Sequence, residues 1–221
     1  MTDTRIAVRG EHLTRLPPER ATVTLTVVQD GHQRESVVAA AADIADQVTQ
    51  VITAATDAQR GPVLSWSSAS AHVWAERPWT PDGVQQDLVH HASVRFSVVV
   101  GDFEFLGGFL GDVASRDGVS VEGISWSLTE ETRRAVLDDV RTRAVEDAVQ
   151  KATVYARSIG LQTVRATALA DPGMLHDGNG AIEFADQPVM LRSAKAVDPG
   201  LSFRPEDIEV TAAVDARFLA T

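Results

Sequence analysis

VSVEGISWSLTEETRRAVLDDVRTRAVEDAVQKATVYARSIG, residues 119–160, holds a strand, a helix start, a long helix and a stop in unbroken order. Val119, Val121, Ile124 and Trp126 lie among small polar residues, which predicts a strand over 119–128. Ser127 followed by Glu130 has capping-box spacing, and Thr129 is a competing N-cap. Val140, Ala144, Ala148, Ala152, Tyr155, Ala156 and Ile159 then fall on one side of a helix. Glu130 and Glu131 sit in its first turn, Arg157 in its last and Gly160 just beyond, as the helix dipole and a left-handed cap favour.

Outward from this stretch, the rest of the chain alternates in the same way. A short strand over 5–8 is expected to end at Gly10. After Pro17–Pro18, Ala21, Val23, Leu25 and Val27 alternate with Thr22, Thr24 and Thr26, the period of a half-buried strand. Val37, Ala41, Ile44, Val48, Val51, Ile52 and Ala55 give a helix over 32–57 one apolar stripe, and Gly61–Pro62 stops it. Strands over 63–74 and 90–100 flank ERPWTPDGVQQD (76–87), whose Pro-Asp-Gly marks a hairpin turn. A short helix is expected over 103–115, and close helix packing would account for Gly101, Gly107, Gly108 and Gly111. A strand at 163–169, a loop at 171–200 and an alternating strand at 208–218 complete the chain. The pattern predicts an α+β fold in one domain, residues 1–221. In it a mostly antiparallel sheet carries two long helices on one face. The order strand, long helix, strand, strand occurs at 20–100 and again at 119–218, which suggests a βαββ duplication.

Composition narrows the function classes. The chain has 221 residues, a net charge of −11 and no cysteine, so disulfides, thiolate nucleophiles and cysteine-held metals are excluded. Only Lys151 and Lys195 among its 20 basic residues are lysines, and the arginines are scattered among more numerous acids. Nucleic acid and acidic membrane surfaces are therefore not expected partners. The longest apolar runs fall far short of the about 20 residues that cross a bilayer. The first 20 residues contain no apolar signal core, which makes the cytoplasm the expected location.

No catalytic constellation is legible. The histidines His12, His32, His72, His90, His91 and His176 show no metal-ligand spacing. The glycines after residue 100 match no phosphate-loop pattern, and no nucleophile motif is present. Asp177, Gly178 and Asn179 lack the rest of a calcium loop. No catalytic residue, cofactor or metal is expected. A hairpin centred on Asp82–Gly83 would set Trp74 opposite His91 and His72 opposite Ser93. Trp66, His72 and Trp74 share strand parity and are expected to face the same way. With Trp79 they make Trp66, His72, Trp74, Trp79 and His91 the candidate interface or ligand surface, since tryptophans beside polar loops favour partner contacts.

Several segments together resemble the SIMPL-domain family. They are Ile6–Gly10, the approach Pro17–Val28, GDFEFLGGFLGDVASRDGVSVEGISWSL (101–128), the helix RAVEDAVQKATVYARSIG (143–160) and the closing IEVTAAVDARFLA (208–220). The resemblance implies a fold of sheet and helices, self-association into rings or channels in some members, stress responses in bacterial members and signalling partners in animal ones. It supplies no catalytic residues. The resulting expectation is a non-enzymatic, homo-oligomeric scaffold or binding module with protein partners. The alternative is a small-molecule-binding protein or an unrecognised enzyme whose pocket is lined by Trp66, His72, Trp74 and His91.

Overall fold

Among the described residues eleven elements follow in chain order: β1 (Thr4–Leu16), β2 (Arg20–Gly31), α1 (Arg34–Ala54), β3 (Val63–Ser68), β4 (His72–Glu76), β5 (Val89–Val100), α2 (Phe103–Ala114), β6 (Val119–Ser127), α3 (Glu130–Ser158), β7 (Val164–Ala170) and β8 (Ile208–Ala220). They belong to a computed structural model that describes residues 3–56, 61–175 and 205–221. The loop expected over 171–200 is described only to residue 175, so most of it, with His176, Asp177, Gly178 and Asn179, lies outside the described residues.

The fold is α+β with antiparallel sheets, as the alternation predicts. The strands form two sheets, where a single one was expected: β1-β8-β7, and β3-β5-β2-β6 with β4 also on β5. They belong to two compact units, one holding β1, α3, β7 and β8, the other β2 to β6 with α1 and α2. Each long helix packs on its own sheet, α3 against β1 and β8, α1 against β2 and β5. The suggested βαββ repeat does not map onto these sheets, because β6, the strand before α3, pairs with β2. Element order carries no pairing information by itself. Pairing is decided by which apolar faces can be buried together.

In the five-stranded unit, Ala21, Val23, Leu25 and Val27 of β2 and Phe96, Val98 and Val100 of β5 form one buried face. Val48 and Ile52 of α1 and Leu106, Phe109, Leu110 and Val113 of α2 cover it. Asp102 caps α2, its carboxylate accepting from the backbone N–H groups of Glu104 and Phe105 at 2.9 and 3.2 Å. Contrary to expectation, close packing among the described residues does not account for Gly108 and Gly111: a Cβ at either would meet nothing within 4 Å.

In the three-stranded unit, β1 runs straight through Gly10 in unbroken register with β8. The glycine therefore does not end the strand, as its position suggests. A Cβ at Gly10 would overlap the Ala144 carbonyl oxygen and stand 2.8 Å from Ala148 Cβ, so the residue exists to let α3 approach. The buried seam of α3 is Val140, Ala144, Ala148, Ala152 and Ala156. Tyr155 and Ile159, assigned to that side by spacing, are 54% and 59% exposed. Thr129, not Ser127, is the N-cap and accepts from the Thr132 N–H at 3.2 Å. Gly160 closes the helix at φ +83°, the left-handed conformation that glycine adopts without penalty. Among the described residues no helix is long and apolar enough to cross a membrane.

Candidate functional site

On β5, Ala92, Phe96, Val98 and Val100 point into the core, so the odd-numbered residues between them face away from the helices. His91 lies on that outer side and, as the hairpin reading predicts, Trp74 is its register partner, with His72 opposite Ser93. His72, Trp74 and Glu76 thus share the outer face, while Val73 packs with Val37, Ala41 and Ala92 on the inner one. The three rings form a continuous stack. His72 and Trp74 have centroids 5.0 Å apart and Trp74 and His91 4.9 Å apart, with interplanar angles of 27° and 14°. Such offset stacking suits the ring quadrupoles.

Glu76 Oε1 stands 3.6 Å from His91 Nε2, a nitrogen that is buried without a hydrogen-bond partner. The stack ends at the rim of the sheet, where Trp74 is 36% exposed. Farther along the same face, Thr26 Oγ1 donates to Glu122 Oε1 at 2.5 Å, and Arg95 approaches that oxygen at 3.3 Å. The Thr26 hydroxyl is the main reason that the Glu122 carboxyl sits below its ordinary value, with burial opposing and Arg95 adding to the effect.

Trp66 is not part of this surface. It packs against the core beside Phe96, with ring centroids 6.4 Å apart. Parity within 63–74 predicted one face for Trp66 and Trp74, but this span is two strands. Ser68 faces Phe96, and four residues later His72 faces Ser93, only three residues back along β5. The extra residue within 69–71 shifts the side-chain alternation by one and sends the two tryptophans to opposite faces. Trp79 lies beyond the stack, 67% exposed, in a turn where it bridges Gln85. Gly83 makes that turn at φ +76°. Sequence reasoning missed Glu76, Thr26, Arg95 and Glu122. Glu76 was accessible, since it follows Trp74 by two residues and shares its face. Glu122 was not, because it occupies a register shift in β6.

Trp66, Trp74, His72 and His91 therefore cannot line one pocket. A groove of about 640 Å³ lies instead between α1 and α2, floored by Val51, Ala54, Ala55, Phe105 and Phe109. Among the described residues no group of three or more histidine or acidic side chains is placed to hold a metal ion.

Two comparisons with known proteins bear on this arrangement. A family model described as SIMPL, protein of unknown function (DUF541), matches residues 6–218. No curated protein matches the chain.

Proposed function

The chain belongs to the SIMPL family, and from that premise we propose that it works without catalysing a reaction, as a self-associating scaffold or binding module. The observation that carries this reading is the stack of His72, Trp74 and His91, which ends at the rim of a sheet with Trp74 partly exposed. Aromatic surface left at a sheet rim favours burial against another macromolecule. A cytoplasmic setting, protein partners and a role in stress responses belong to the same proposal, and the likeness to the family supports them. Light scattering at several protein concentrations tests it. A mass that is a stable multiple of 23.7 kDa is expected. A monomer at every concentration would overturn the self-associating part.

The groove between α1 and α2 favours a second reading, the capture of a small apolar molecule. Its floor is aliphatic and phenyl, and its volume lies within the range of ligand sites. Thermal-shift screening with apolar compounds would reveal such a ligand. The stabilisation should vanish in Gly108→Leu, which fills the groove, and persist in Trp74→Ala.

A further inference from the structure

Every sheet rim must deal with a row of backbone N–H and C=O groups that have no neighbouring strand. The rim strands here do so by visible devices, with one exception. On β1, the Glu11 N–H donates to Asp147 at 2.8 Å and the Arg9 C=O accepts from Lys151 at 2.9 Å, so side chains of α3 occupy that edge. Register shifts interrupt β3, β6 and β7. β4 pairs with β5 in unbroken register from His72 to Glu76, and it contains no lysine, proline or bulge. Short as it is, among the described residues it is the rim strand with neither a register shift nor a side chain bonded to its outer backbone groups.

The direction of its free backbone groups follows from β5. Arg95 C=O accepts from the Ala69 N–H, and the Gly101 N–H donates to Pro62 C=O. Odd-numbered residues of β5 therefore aim their backbone polar groups at β3 and β4. By the register, His72, Trp74 and Glu76 bond to β5, and Val73 and Ala75 point outward.

We propose that this edge pairs with the same edge of a second copy of the chain, antiparallel about a two-fold axis at Trp74. The inference rests on the self-associating reading above and names its surface. The segment His72-Val73-Trp74-Ala75-Glu76 is self-complementary under that operation. Val73 and Ala75 of one copy exchange both backbone hydrogen bonds with Ala75 and Val73 of the other. Trp74 meets the second copy's Trp74 at a non-hydrogen-bonded position, where side chains come closest. His72 falls opposite the second copy's Glu76, an imidazole N–H donor facing a carboxylate. Each intramolecular ring stack then continues across the axis, so the donor–acceptor pattern and the aromatic surface select the same partner. A two-fold contact of this kind uses one patch on both copies.

Three variants test the pairing by light scattering and denaturing electrophoresis. Ala75→Pro removes an outward N–H without touching a bond to β5, a change that rim strands tolerate. It should lower the wild-type mass to a smaller multiple of 23.7 kDa. Trp74→Cys gives this cysteine-free chain a single thiol. Across the axis the Cα atoms would lie about 4.5 Å apart, within disulfide reach, so mild oxidation should give a covalent dimer. His72→Glu should weaken assembly, and adding Glu76→His should restore it. If the wild type assembles while Ala75→Pro keeps its mass and Trp74→Cys does not crosslink, this surface is wrong and self-association proceeds elsewhere. If the wild type stays at 23.7 kDa throughout, the self-associating reading falls, and this inference with it.

Discussion

The two units bury their sheets by opposite means. The five-stranded unit fills the space under α1 and α2 with large side chains, among them Phe96, Leu25, Ile52, Leu106 and Leu110. The three-stranded unit removes the space: Gly10 and the alanines at 144, 148, 152 and 156 bring α3 down onto β1 and β8. One core depends on volume and the other on closeness. They should therefore fail under opposite substitutions, the first when a side chain shrinks and the second when one grows.

The largest effect is expected from Phe96→Ala, which empties a fully buried site and should cost about 3–5 kcal/mol in chemical denaturation. Hydrogen exchange should quicken first at β2 and β5 amides. Loss of protection in β1 and β8 instead would refute the separation of the cores. Gly10→Ala is the mirror experiment. Its Cβ meets backbone and not the end of a flexible side chain, so β1 or α3 must move, at a cost of about 3 kcal/mol. Protection should be lost in β1, β8 and α3. A neutral result would mean that the helix does not depend on that approach.

Acid should sharpen the comparison at smaller scale, because each unit has a carboxyl held below its ordinary value. In the five-stranded unit it is Glu122, ordinarily 4.5, held down chiefly by the Thr26 hydroxyl. In the three-stranded unit it is Asp147, ordinarily 3.8, held down first by Lys151 and then by the Glu11 backbone N–H. A depressed folded pKa contributes stability that is fully present above the unfolded value and lost as pH falls through the folded one. Both contributions should be constant at neutral pH. On acidification, Glu122's should decline below about 4.5 and Asp147's below about 3.8. Carboxyl NMR titration of Thr26→Val should show Glu122 moving up towards 4.5 with Asp147 unchanged. An unmoved Glu122 would assign its shift to Arg95. The smallest effect should be favourable: Gly108→Ala fills open space on α2 and should stabilise by about 0.5–1 kcal/mol, seen as a raised melting temperature.

Much of the fold was legible because local patterns carry it. Alternation in β2, β5 and β8, the cap and dipole pattern of α3 and the turn at Asp82–Gly83 each follow from a few neighbouring residues. That turn also sufficed to set Trp74 against His91. The candidate surface was only partly legible, and the reasons are specific. Trp66 was assigned to the wrong face because one extra residue within 69–71 reverses parity without altering the character of the sequence. Tyr155 and Ile159 have the spacing of a buried stripe, yet the narrow sheet beneath α3 covers only the alanine seam.

By itself the sequence determined most of the elements and the antiparallel α+β class, since these depend on periodicity, caps and turns within short windows, and it carried the family in the likeness of whole segments. Tertiary structure alone decided that the described strands form two sheets, that β6 joins β2 and not the strands after α3, that Gly10 serves a helix 134 positions away at Ala144, and that β4 has β5 as its one strand neighbour among the described residues. The physical reason is the same in each case. Pairing and close approach are settled by which surfaces meet across long separations, and neighbours along the chain do not encode that meeting.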